Sequence, residues 1–301
     1  MLIIRRTGLL FLFVIFPEWV SAKVITVPDD MPTIQSAIES SMDGDTVLVR
    51  RGIYYENLNF IGKKILLTSN FIFDGLQETI DSTIIDASLP VDTLHRSCVL
   101  FQAGEDNNSI LNGFTLQNGR GTYAPVYFGE SDFTGAGIYC ANSSPTIKNN
   151  VIKNNSTPAP FIYFKPGGGI AICCGSPILQ NNTFVSNSAT HGGAISCYPS
   201  CGALINNNLI LDNQAGIAPS IFVYWSSAPT IINNTISDEA DGIILSAYFS
   251  NPQLRNNTIV TAGKAIKCSN SSAQASFNNF WLSGVGYVAD PQCGSGLGDT
   301  T

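Results

Sequence analysis

Two short stretches concentrate the residues with which this chain could act on another molecule. Residues 120–134 carry Tyr123, Tyr127, Phe128 and Phe133 beside Glu130 and Asp132, and residues 156–166 carry Phe161, Tyr163 and Phe164 beside Lys165. Two carboxyl groups with a Lys or Arg close by (Lys165 or Arg120 here) can supply the acid and base for cleaving a glycosidic bond. Glu130 and Asp132 are therefore the candidates for catalysis. Aromatic faces beside carboxylates also suit stacking against sugar rings. A second set, Tyr198, Tyr224-Trp225 and Tyr248-Phe249, recurs along the chain, and Tyr123, Tyr127, Phe128, Phe161, Tyr163, Phe164, Tyr198, Tyr224, Trp225 and Tyr248 are read as substrate-contacting. The competing reading is that long loops fold their rings onto themselves, as they must to be ordered.

Other chemistry finds less support. His191-Gly192-Gly193 has no Asp cluster to work with, since residues 135–260 hold only Asp212, Asp238, Glu239 and Asp241 among the acids, and it reads as a turn leading into a strand. Arg255 and Lys264 could serve as lyase bases, but both stand where exposed polar residues are expected. No G-x-S-x-G elbow occurs. Of 8 Cys none form a C-x-x-C pair, and with only His95 and His191 available a zinc site is not expected. Calcium is compatible with an acidic chain, but no acid cluster calls for it. Cys197 and Cys201, either side of a Pro-containing turn, could close as a disulfide.

The net charge of -7 argues against nucleic acid and anionic lipid, which both need basic patches. At the start, Arg5-Arg6, an apolar run from Leu9 to Phe16 and the small residues around Ser21-Ala22 form a secretory leader, so residues 1–22 are read as removed and 23–301 as the mature domain. No later stretch is apolar for long enough to span a bilayer. The tail ends without a visible closing segment, so the solenoid described next is read as truncated at its C-terminus.

What would position the rings is an internal repeat. The phrase PTIKNNVI at 145–152 returns as PILQNNTF at 177–184, ALINNNLI at 203–210, PTIINNTI at 229–236 and PQLRNNTI at 252–259, with a degraded copy around Asn278-Asn279. The second Asn falls at 150, 182, 208, 234, 257 and, on this reading, 279, about one coil of a β-solenoid apart. Asn tolerates the left-handed turn such a coil needs, and stacked Asn side chains can bond in a ladder. A Gly-rich phrase precedes each copy and aligns Ile138, Ile170, Ile195, Ile243 and Ile266 in one column. A second column holds Cys140, Ile172, Cys197, Leu245 and Cys268. Period two with aliphatics means strands with one face buried.

These coils resemble the right-handed parallel β-helix repeat proteins of the pectin-lyase-like superfamily. The start agrees with that resemblance: Pro32-Thr-Ile-Gln-Ser-Ala-Ile38 is similar to a short capping helix, and Gly52-Ile-Tyr-Tyr-Glu56 to the family's G-x-Y-x-E turn. The resemblance implies an all-β, single-stranded right-handed parallel β-helix with an N-terminal capping helix. It is silent on activity, because the superfamily hosts lyases, hydrolases, esterases and adhesins. Pectin methylesterases share the turn, but their paired catalytic Asp settings have no counterpart in the middle of this chain; Phe73-Asp74-Gly75 falls too early and in the wrong order. The leading expectation is an exported, cell-surface or extracellular protein that contacts a glycan and lacks a recognisable catalytic site. A polysaccharide lyase or hydrolase acting under the two loops is the first alternative, and an adhesin-like spacer the second.

Overall fold

The computed structural model describes residues 21–127, 130–158, 164–237, 244–261 and 265–282. Among them the chain winds into coils whose strands form three long sheets, all parallel. The first sheet starts at Val24–Val27 and ends at Gln274–Ser276, the second runs from Gly52–Tyr54 to Asn279–Leu282, and the third from Leu58–Asn59 to Ile266–Ser269. Strands are two to four residues long in these sheets, so one inward side chain per strand carries most of the burial. Ile147, Leu179, Ile205, Ile231 and Leu254 stack in the first sheet, each fully buried. Ile152, Phe184, Ile210, Ile236 and Ile259 do the same in the second. Together with the third sheet they make one apolar core that continues from Ile25 to Phe280.

The Asn pair is the corner between the first and second sheets. Asn149, Asn181, Asn207, Asn233 and Asn256 take φ of 55°, 56°, 57°, 57° and 52°, the left-handed region that Asn enters more readily than branched residues. The next Asn of each pair turns inward and forms the ladder. Its Nδ2 donates to the Oδ1 of its counterpart in the following coil, from Asn150 through Asn182, Asn208, Asn234 and Asn257 to Asn278, at 2.9–3.2 Å. The same Oδ1 accepts the backbone N–H of the preceding Asn. The last rung is Asn278, one residue earlier than the sequence spacing suggests. Register pairs Leu254 with Ala275, so Phe277 occupies the left-handed corner with φ 57°.

A second ladder was not anticipated. Asn154, Ser186 and Asp212 have positive φ at the exit of the second sheet, and the Asn after each stacks as Asn155–Asn187–Asn213 with Nδ2···Oδ1 distances of 3.0 Å. The third sheet corrects one position in each of the two columns. Ile221 pairs with Ile244, which pairs with Ile266, and Val223 with Ser246, which pairs with Cys268. The aligned positions are thus 244 and 246 rather than 243 and 245. Cys140, Cys197 and Cys268 do face the core. The glycines before this sheet make tight approaches: a Cβ on Gly168 would lie 2.4 Å from the Gly193 carbonyl of the next coil.

At the N-terminal end a helix, Ile34–Ser40, packs on the first coil with Ile34, Ala37 and Ile38 fully buried. Thr33 is its N-cap, so Pro32 lies just outside rather than opening it. Glu56 explains the G-x-Y-x-E turn, since its two oxygens accept the N–H groups of Ile34 and Gln35, both at 2.9 Å. That satisfies two of the orphan donors of the first turn from the corner between two strands of the barrel.

Candidate functional site

The outer face of the third sheet is where the chain departs from its repeat. Register aligns Asn59, Leu100, Tyr139, Ala171, Ser196 and Phe222 in one outward row. The first insertion folds over it as a hairpin, Gly121–Tyr127 against Glu130–Thr134, extended by His95–Arg96 into a three-stranded antiparallel sheet. Tyr123 lies opposite Phe133 with ring centroids 5.5 Å apart, and the Arg96 guanidinium stacks 3.9 Å over Phe133. The second insertion meets the first: Lys165 Nζ lies 3.5 Å from Asp132 Oδ1 and donates to the Pro158 carbonyl at 2.9 Å.

The rings divide into a buried and an exposed group. Phe164 packs on Tyr198, Tyr224 and Phe222 with centroids 5.4, 5.5 and 6.0 Å away. Tyr198 is sealed beneath it, with its hydroxyl 2.8 Å from Thr134 Oγ1. Tyr198 therefore cannot meet a ligand, and its assignment as substrate-contacting is corrected: it clamps the hairpin to the sheet. Tyr224 is also buried, against Phe222 and Tyr248. By contrast Tyr123, Trp225, Tyr248 and Phe249 are 46%, 40%, 49% and 80% exposed. The last three hold φ of 50°, 53° and 62°, where a bulky side chain costs about 1–2 kcal/mol. Strain of this kind gathers at functional sites. The backbone of Tyr127 pairs with Glu130, while its side chain, and Phe128, Phe161 and Tyr163 altogether, lie outside the described residues.

Charge in this region is largely committed. Asp132 and Lys165 face each other as a mostly buried pair, and Glu130 is exposed at the hairpin end. His191 packs between Phe164 and Phe222, and burial holds its pKa down to about 4 from the ordinary 6.5. The folded protein then binds this proton more weakly than the unfolded chain. Stability from this group should be fully present above pH 6.5 and fall by up to about 3 kcal/mol as pH drops towards 4. His191→Phe should flatten that part of the curve, measured as denaturation midpoints between pH 7 and 4.5; an unchanged slope would reject the assignment.

A cleft that sequence reasoning missed opens at the helix end of the same face. It encloses about 560 Å³ between Thr33 and Gln35, the turn of Tyr55, Glu56, Asn57 and Asn59, the loop bearing Leu89, Val91, Asp92 and His95, and the sheet residues Leu100 and Gln102. His95 Nδ1 lies 2.6 Å from Asp92 Oδ2, and that bond, followed by the Leu94 N–H, holds the Asp92 carboxyl below the usual range. The signal in the sequence is Asp92-x-x-His95, in a segment that repeats nowhere else. Among the described residues no group of three His, Cys, Asp or Glu side chains is placed to hold a metal. No described helix is long and apolar enough to cross a membrane.

Two overlapping matches to the model of the right-handed β-helix region, residues 101–210 and 188–292, together span more than half of the chain. The chain belongs to the right-handed β-helix family. No curated protein matches it. Among solved structures, a pectin methylesterase mutant in complex with a hexasaccharide is 13% identical, covering 87% of this chain and 80% of that one, with a TM-score of 0.45. At that level the likeness speaks of neither substrate nor activity. The β-helix family match takes in both insertions and the exposed rings. Nearly all of the helix-end cleft lies before it, in residues 33–100, with only Gln102 inside.

Proposed function

We propose that the protein is exported, with residues 1–22 as its leader, and contacts glycans at or beyond the cell surface along the outer face of the third sheet. The observation that carries this reading is the exposure of Trp225, Tyr248 and Phe249 beside a cluster in which Tyr198 and Tyr224 both pack on Phe164. Trp225 and Tyr248, left open in a strained backbone one coil apart, and Phe249 beside them offer flat apolar faces of the kind that stack on pyranose rings. The helix-end cleft supports the same reading with an exposed Tyr55, an apolar rim and the polar groups of Asn57, Asn59 and Gln102.

The test is a glycan array on protein recovered from the medium of an expressing host, whose first residue is expected to be Lys23. Trp225→Ala with Tyr248→Ala should weaken the binding at least tenfold while the far-UV circular dichroism is unchanged. Binding that survives the double change moves the contact elsewhere, and no binding to any glycan sinks the reading in favour of a spacer.

A further inference from the structure

Six of the seven described cysteines are free thiols, and Cys268 is disulfide-bonded. Cys197 and Cys201, which the sequence allowed to pair, are both free and buried, and so are Cys98 and Cys140. Cys173 and Cys174 differ. Cys174 is exposed, Cys173 is half-buried against the ring cluster, and their Sγ atoms are 3.5 Å apart.

Adjacent residues rarely aim their side chains the same way, because successive side chains of a strand point to opposite faces. Here Cys173 ends the strand Ile170–Cys173, and Cys174 turns back with φ 55°. The turn itself does not need a cysteine: the neighbouring coils hold Asn142 and Ser200 in it at φ 51° and 53°. Convergence of the thiols is thus a product of placing two cysteines where the corner folds the chain back on itself.

We propose that Cys173 and Cys174 form a reversible thiol–disulfide exchange site that reacts with low-molecular-weight disulfides. The exposed Cys174 sulfur, as thiolate, attacks one sulfur of R–S–S–R, forming a mixed disulfide and releasing RS⁻. Cys173, giving up its proton to solvent, then attacks the Cys174 sulfur and expels the second RS⁻. The dithiol loses two electrons and two protons, and the small disulfide is reduced to two thiols. Adjacent Cα atoms stand about 3.8 Å apart across a trans peptide, short of the roughly 4.4–6.8 Å that disulfides favour. The closed pair is therefore strained and belongs with the labile, regulatory bonds rather than the structural ones. Burial pushes the Cys173 thiol up to about 12, which slows the second step without preventing it. The Cys174 N–H bonds Pro199 O at 3.0 Å and the Ser200 N–H bonds Trp225 O at 3.1 Å. Closure thus acts on a turn joined to the exposed Trp225, two coils on, through the intervening turn of Pro199 and Ser200.

The whole chain would be equilibrated with glutathione at graded disulfide-to-thiol ratios, quenched in acid, alkylated under denaturing conditions and analysed as peptides by mass spectrometry. The expected product is a peptide holding both residues that is 2 Da lighter and takes no alkyl group, appearing with glutathione disulfide and lost again as glutathione rises. Cys174→Asn, which copies Asn142 of the preceding coil, should fold and show neither the lighter peptide nor a glutathione adduct on Cys173. Two alkylated thiols at every ratio, a lasting glutathione adduct on Cys174, or a closed bond that glutathione cannot reopen would each overturn the proposal.

Discussion

Asn208→Ala is expected to cost the protein about 4 kcal/mol, far more than the loss of one surface side chain, because four groups depend on it in a dry interior. Its Oδ1 accepts the Asn182 N–H at 2.9 Å and Asn182 Nδ2 at 3.1 Å, and its Nδ2 donates to Leu179 O at 2.9 Å and Asn234 Oδ1 at 3.0 Å. Alanine leaves the Asn182 N–H and the Leu179 carbonyl without these partners. Each buried group stranded in this way costs about 1–3 kcal/mol, and the ladder bonds polarise one another. Guanidinium denaturation should show the midpoint falling at an unchanged slope. The outer-corner change Asn207→Gly keeps the left-handed turn and should cost about 1 kcal/mol or less. Equal losses for the two would mean that the inner amide is no more than a turn former.

The second large effect concerns the contact between the insertions. Asp132→Ala should destabilise by about 3 kcal/mol, because it leaves the Lys165 ammonium buried without its counter-charge. The Lys165 side chain is only 6% exposed and Asp132 18%, so solvent screening is slight. Lys165→Met in the Asp132→Ala background should restore most of that loss, as removing both charges removes the penalty. A double-mutant cycle by chemical denaturation reads it directly. If the double change costs the sum of the singles, the two side chains do not interact and the hairpin is held by its other contacts, the Tyr198–Thr134 bond and the pairing with His95–Arg96 among them.

Legibility in the sequence followed repetition. The Asn corner, the Gly-rich approach and the inward Ile column recur in coil after coil, so each copy checks the others, and the parallel β-helix could be written down from them. The second ladder recurs too, but as Asn154-Asn155, Ser186-Asn187 and Asp212-Asn213; its corner residue varies in type while its conformation does not. Phe277 hid the last rung for the same reason, since a left-handed φ there is imposed by the neighbouring coil rather than favoured by Phe. The two insertions interrupt consecutive coils, and stacking of those coils brings them together on one flank, where Lys165 faces Asp132. Which rings they bury was not readable. Tyr198 and Tyr224 go under Phe164 while Trp225 stays out, and that depends on side-chain direction one residue past a strand end. The helix-end cleft was least legible: its walls come from a loop, a helix start and a turn that occur once each.

The ladders and the sheets share one direction, with hydrogen bonds between coils running along the solenoid axis. Tension on the two chain ends would load those bonds head-on, one layer at a time, since each coil is held chiefly by its two neighbours. Asn182, Asn208 and Asn234 follow one another at intervals of 26 residues, and a freed coil of that length extends to about 90 Å. Under load the molecule would lengthen in steps of roughly that size, yielding coil by coil while the remaining stack keeps its shape.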